Sequence, residues 1–209
     1  MQDDDASNPG TLWVIEGEQL WNRKDGAAGK ACADCHADMK GVAARYPRLL
    51  GGRPMNLEQR INACRIGQQR AGAFAYESRE LLALETYIGI QSRGLPIAPD
   101  ERARAFAEKG RALFLTRMGQ VNLSCSQCHD QNAGRHLGGS VIPQAHPTGY
   151  PLYRLEWEAV GSLQRRIRGC MANVRAEPYA FGSEELVDLE LFLKRRASGM
   201  KVETPAVRP

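Results

Sequence analysis

An all-α chain built from one helical unit written twice is what three observations in this sequence predict. The first is a five-residue pattern that occurs two times, as Cys32-Ala33-Asp34-Cys35-His36 and as Cys125-Ser126-Gln127-Cys128-His129. Two thiols two residues apart on a tightening turn can each add to one vinyl group of a haem, and the imidazole that follows then faces the iron. The second is that apolar residues around both patterns recur at helical spacing. The third is a constant offset between halves: Gly17 stands 15 residues before Cys32, and Gly110 stands 15 before Cys125. Repeated spacing of that kind marks a duplication. The fold class is therefore all-α, with two tandem cytochrome c-like domains related by internal duplication, each holding one covalently bound haem. The expected domains are residues 1–98 and 99–209.

Each element follows in order. Residues 5–10 are polar and read as loose. A helix is expected from about Thr11 to Arg23, with Trp13, Gly17, Leu20 and Trp21 on one face. Its counterpart opens at Pro99-Asp100 and places Phe106, Gly110, Leu113 and Phe114 on one side. Asn56 to Cys64 aligns with Ser162 to Cys170 at an offset of 106, but Arg70 aligns with Arg175 at 105, so one residue is missing between cysteine and arginine. Ser78 and Ser183 are matched N-caps for two closing helices. Those helices carry Leu81, Leu84 and Ile88 in one half and Leu186, Leu189, Phe192 and Leu193 in the other, and should end near Gly94 and Gly199. Ser92 to Asp100 reads as the linker, and the tail from Gly199 as an extended arm.

Composition narrows the function. The formal charge of +4 is small, and four ionised propionates would offset most of it, so no nucleic acid is expected as a partner. No apolar run approaches the roughly 18 residues of a membrane span. The first residues, Met1 to Asp5, have neither the basic nor the apolar segment of a signal peptide. Covalent haem attachment happens outside the bacterial cytoplasm. The chain therefore reads as a periplasmic protein whose export signal has been removed.

His36 and His129 supply one axial ligand each, which leaves the other face of each iron. Met39, Met55, Met118 and Met171 have no matched partners in the opposite half. Cys64 and Cys170 do, standing 28 and 41 residues after their histidines. Two thiolate ligands satisfy the duplication, whereas a disulfide between them, the other option in an oxidising compartment, would join equivalent points of two units. Arg60 and Arg166 precede these cysteines by four residues, the helical spacing for one face. A propionate clamp or a solvated arginine is the plainer reading of each. Arg165, Arg166, Arg168 and Arg175 concentrate positive charge around Cys170, which favours a thiolate and suits a small oxyanion.

Two further stretches carry a resemblance: His146-Pro147-Thr148-Gly149-Tyr150-Pro151-Leu152-Tyr153-Arg154, and Ser162 through Met171 followed by Arg175-Ala176-Glu177-Pro178. With both haem patterns they make the chain resemble the SoxA family, the catalytic cytochromes of bacterial sulfur oxidation, in its dihaem form. The resemblance implies two haem c groups attached through Cys32, Cys35, Cys125 and Cys128. It implies Cys64 and a persulfidated Cys170 as ligands opposite His36 and His129, Cys170 as the active-site residue, and Arg166 as the binder of the substrate anion. It also implies thiosulfate as substrate, a monohaem SoxX-type subunit, a SoxYZ-type carrier whose cysteine is thiosulfonated, and a c-type cytochrome as electron acceptor.

Two other functions stay open on the residues alone: a thiosulfate dehydrogenase forming tetrathionate, and a dihaem electron carrier without substrate. A peroxidase needs an open iron position, and the ligand count leaves none. His146 reads as ordering its Gly- and Pro-rich loop by a hydrogen bond, His136 as exposed, and Tyr153 and Trp157 as packing around the second haem or a partner surface.

Overall fold

The computed structural model describes residues 1–209. α1 (Thr11–Asn22) buries Trp13, Gly17, Leu20 and Trp21, the face its spacing predicts. After the turn that carries Cys32 and His36 comes an antiparallel hairpin of β1 (Arg48–Leu50) and β2 (Arg53–Met55). Gly51 and Gly52 close it at φ 59° and 84°. Two successive positive φ values make a tight hairpin loop that a residue without Cβ enters freely. Asn56 caps α2 (Leu57–Cys64): its side chain accepts from Gln59 N, and Gln59 Oε1 accepts in return from Asn56 N. α3 (Arg79–Ile90) starts on Ser78, whose hydroxyl accepts from Leu81 N.

The series then recurs. α4 (Arg104–Leu115) corresponds to α1, and the second Cys-x-x-Cys-His becomes α5 (Cys125–His129). A small hairpin, β3 (His136–Leu137) with β4 (Ser140–Val141), is added here. β5 (Leu152–Arg154) and β6 (Ala159–Gly161) repeat the first hairpin, α6 (Leu163–Asn173) repeats α2, and α7 (Glu184–Arg196) repeats α3. Ser162 and Ser183 cap the last two helices as Asn56 and Ser78 cap theirs. Even the residues ahead of the hairpins match, Tyr46-Pro47 and Tyr150-Pro151, both with cis peptide bonds.

These strands correct the all-α expectation: three small sheets accompany the helices. Strands of two or three residues carry too little alternation to be read from sequence. The two termini are also better ordered than expected. β7 (Ala206–Arg208) lies parallel to β5, and Asn8, buried rather than loose, donates to Pro205 O at 2.8 Å. The segment between the halves is likewise packed, with Ile97 and Ser92 buried.

The helix pairs α1/α3 and α4/α7 each pack with backbone against backbone at a glycine. A Cβ on Gly17 would stand 2.1 Å from Ala83 O, and one on Gly110 would stand 2.0 Å from Asp188 O. Ala83 and Asp188 are themselves matched positions, so the duplicated glycine serves the same backbone contact twice. The missing residue has a structural meaning too. Arg65 to Gln69, directly after Cys64, winds as a π-helical turn, whereas α6 runs on regularly past Cys170. A one-residue insertion in a helix is absorbed in this way. Where the halves meet, Tyr76 stacks on Phe181, ring centroids 5.7 Å apart and planes 12° apart.

Candidate functional site

The first site is a cavity of about 330 Å³. Cys32, Cys35 and His36 line one part of it, and Arg60 and Cys64, one turn apart on α2, line another. Trp21, Met39, Leu57, Ile61, Leu84 and Ile88 supply an apolar wall. The π-helical turn seals one end. Arg65, 7 % exposed, pairs with Asp25 at 3.0 Å, donates to Gly72 O and lies 3.5 Å over the Phe74 ring. The Gly26 N–H and then the Arg65 guanidinium hold the Asp25 carboxyl below the usual range. Burial pushes the Cys32 thiol up.

The second site is built on α5 and α6. Gln127 reaches back to Ser124 N, which starts α5 directly at Cys125. His129 Nδ1 donates to Pro143 O at 2.7 Å. That bond leaves Nε2 with its lone pair free, the arrangement that fixes an imidazole for ligation. Pro143 lies in a loop the first half lacks: 21 positions separate His129 from Tyr150, against 10 between His36 and Tyr46. Burial, with help from the Arg166 and Arg196 charges, keeps His129 neutral below its ordinary pKa.

Arg166 and Cys170 lie one turn apart on α6, as predicted from their spacing. Cys170 is close enough to Cys125 to disfavour ionisation of that thiol, and Cys128 disfavours ionisation of both. Burial raises the Cys170 pKa, opposed by Arg166 and then by Arg154. Arg166 and Arg154 thus act on Cys170 in the direction that favours a thiolate, as expected of the cluster, while desolvation opposes them and is the larger cause. Nor does the whole cluster converge. Arg165 lies 4.2 Å over Trp157 and 4.0 Å from Glu77, and Arg168 caps the Phe181 ring and donates to Tyr179 O. Arg175 occupies the left-handed region at φ 56°.

Arg154 is the cation that sequence reasoning missed. It lies in β5, sixteen positions before Cys170, sits 5.1 Å from the centroid of the Trp157 ring and donates to Pro209 O. Only the hairpin brings it there. Tyr150, its pKa pushed up to about 12 by burial, neighbours Arg166 and Cys170. Tyr153 is a second correction, since it packs edge-on against Trp13 in the first core, 6.0 Å between centroids, rather than around the second site. Trp157 has the guanidinium groups of both Arg154 and Arg165 over its ring. The loop of His146 is tied down by the Thr148 hydroxyl donating to Glu203, and His136 is exposed on β3. No disulfide joins any of the six cysteines, and Cys64 and Cys170 lie in separate sites.

Both donor sets fit a covalently attached haem: two thiols and an imidazole on one element, a further sulfur on another, and apolar surface beside them. The comparisons agree on the kind of protein. The model of the SoxA/TsdA cytochrome c domain matches residues 16–97 and 109–202. The L-cysteine S-thiosulfotransferase subunit SoxA of Pseudaminobacter salicylatoxidans is 40 % identical over 215 residues, which cover 98 % of this chain and 75 % of that protein. Its namesake in Rhodovulum sulfidophilum is 38 % identical over 213 residues, covering 98 % and 74 %. The crystal structure of SoxXA from P. pantotrophus superposes with a TM-score of 0.96 at 32 % identity, over 100 % of this chain and 81 % of the matched chain.

Proposed function

This chain belongs to the SoxA/TsdA cytochrome c family, and from that membership we propose that it is an L-cysteine S-thiosulfotransferase subunit that couples thiosulfate oxidatively to a cysteine of a carrier protein. The reaction joins the carrier thiol to the outer sulfur of thiosulfate, releases one proton and delivers two electrons, one at a time, to c-type cytochrome. The chain works with a monohaem SoxX-type subunit, as the matched SoxXA structure suggests, and with a SoxYZ-type carrier in the periplasm. No helix is long and apolar enough to cross a membrane.

In this reading residues 1–98 and 99–209 are tandem cytochrome c-like domains. Cys32 and Cys35 would hold one haem c covalently, and His36 and Cys64 would be the side chains that ligate its iron. Cys125 and Cys128 would hold the other, with His129 and Cys170 as its ligating side chains. Bound haem c supplies a one-electron acceptor next to sulfur. The protein does the rest. The Arg166 guanidinium holds the sulfonate end of the dianion, so that the outer sulfur meets Cys170, which carries an extra persulfide sulfur. Pro143 O keeps the His129 proton on Nδ1.

The observation that carries the proposal is the pairing of Cys170 with Arg166 on one face of α6, beside Cys125 and Cys128 on α5. The experiment is a reconstituted assay of the haem-loaded complex with thiosulfate, carrier protein and ferricytochrome c. Two equivalents of cytochrome reduced per thiosulfonated carrier cysteine is the expected result. Tetrathionate formed without carrier would overturn it in favour of a thiosulfate dehydrogenase. Peptide mass spectrometry should find haem on all four attachment cysteines and one extra sulfur on Cys170.

A further inference from the structure

Between the two halves lies a cavity of about 40 Å³ into which Glu58 of α2, Glu85 of α3, and Glu190 and Lys194 of α7 point. Glu85 and Glu190 occupy matched positions of the repeat. Glu58 and Glu190 are 1 % and 6 % exposed. Glu85 is half-buried as a residue, yet its Oε2 and the Oε1 of Glu58 are sealed from solvent without a hydrogen-bond partner. Glu190 accepts from Asn56 Nδ2 at 3.5 Å and faces Gln164, the counterpart of Glu58. Lys194 Nζ donates to Pro147 O at 3.2 Å. Around this group, Glu77 lies 4.0 Å from Arg165, and Tyr76 faces the same carboxylates.

Three carboxylates and one ammonium in so small a space cannot all be charged. Lys194 balances one carboxylate, and the others are stable there only as acids. Burial is the largest cause raising the pKa of each carboxyl, and Glu190 is pushed up to about 7. Burial likewise lowers Lys194. The group is not arranged to hold a metal ion. A polar cavity of this size does accommodate a water that can carry a proton.

Its position gives the cluster a use. Tyr46 and Leu57 form a wall shared with the first haem cavity. Tyr150, in the same small cavity, neighbours Cys170 and Arg166 of the second site. Tyr46 and Leu57 thus stand between the carboxylates and the first site, and Tyr150 between them and the second. Negative charge added on either side of that wall, across a poorly polarisable interior, raises the proton affinity of an acid.

We propose that Glu58, Glu85, Glu190 and Lys194 form a redox-linked proton site, in which a carboxylate takes up one proton when an electron enters a neighbouring haem site and releases it when the electron leaves. The electrons come from the thiosulfate and thiol coupling, the acceptor cytochrome removes them, and the proton exchanges with solvent. The inference rests on the reading that both sites hold haem.

The test uses the haem-loaded complex after its haem content has been counted. Midpoint potentials between pH 5 and 8 and the reduced-minus-oxidised infrared difference spectrum are recorded for the native chain, Glu85→Gln and Glu190→Gln. Full coupling shifts the reduction equilibrium about tenfold per pH unit, or about 59 mV, and a shift of at least about threefold is expected in the native chain. The variants should flatten that dependence and lose a protonated-carboxyl band that grows on reduction. Potentials independent of pH, or a slope and band unchanged in both variants, would overturn the proposal. If the variants do not fold, proton uptake on reduction of the native complex in weak buffer decides the matter, and no uptake sinks it. A preparation with one haem refutes the two-haem reading instead, leaving the proton site to be tested at the remaining one.

Discussion

The two halves share a frame down to single backbone contacts, and they differ where chemistry is expected. Gly17 and Gly110 meet equivalent carbonyls, and Ser78 and Ser183 make equivalent caps. After Cys64, however, an extra residue is wound into a π turn, and Arg65 plugs the cavity through Asp25, Gly72 and Phe74. After Cys170 the helix continues, and Met171 fills the apolar core at the position of Arg65. Extra chain is spent elsewhere in the second half, on the loop that supplies Pro143 O to His129 and on the turn before β6 that sets Trp157 against two arginines. A duplicated fold thus keeps its packing contacts and diversifies through insertions beside the sulfur. One site is closed by Arg65, a buried cation tied into its own half that acts on the Cys32 thiol, whereas in the other two cations, Arg166 and Arg154, act on the Cys170 thiol.

The largest effect that can break this comparison is at the sulfurs. Cys170→Ala should reduce carrier thiosulfonation by about 10³-fold or more, whereas Cys64→Ala should cost about tenfold or less, measured as kcat/KM in the reconstituted assay. Equal losses would make the sites functionally alike. Next come the glycines, where the halves should behave identically: Gly17→Ala and Gly110→Ala each push a methyl into a carbonyl and should destabilise by about 2–3 kcal/mol in urea unfolding. A much smaller loss for one would show that its helix pair can separate. Arg166→Ala should raise the KM for thiosulfate about 10- to 100-fold, and Arg166→Lys should recover only part, since a point charge cannot replace a fork. Arg60→Ala, at the matched position, should change that KM by about twofold or less.

The smallest effect sharpens the boundary between the halves. Glu190 has a folded pKa near 7 against an ordinary 4.5, so the folded chain binds more protons than the unfolded chain between those values. Its contribution is fully favourable below about pH 4.5 and declines as pH rises through 7. Glu190→Gln should remove that decline, leaving the variant more stable than the native chain at pH 8 by about 1 kcal/mol or more, read from denaturation midpoints at pH 5 and pH 8. A decline that persists in the variant would place the titrating group elsewhere.

Much of this molecule is legible in its sequence because the informative signals are local. Helical faces repeat within a few turns, so α1 appears with its correct buried residues. Attachment patterns span five positions, and the spacing of Arg166 to Cys170 is one helical turn. The hairpins could have been found from Tyr46-Pro47 and Tyr150-Pro151, a matched pair that precedes both, although their strands are too short for alternation to show.

Residue identity and short-range spacing were enough to mark the cysteines and histidines whose chemistry suits haem, and to show that the same unit is used twice. The tertiary structure alone decided which arginines face Cys170, that Tyr153 belongs to the first core, and that Glu58, Glu85 and Glu190 share a sealed pocket with Lys194. Charge and desolvation act through space, and Glu58 and Glu190 stand 132 positions apart in the chain. No pattern along the polymer encodes such a distance until packing closes it.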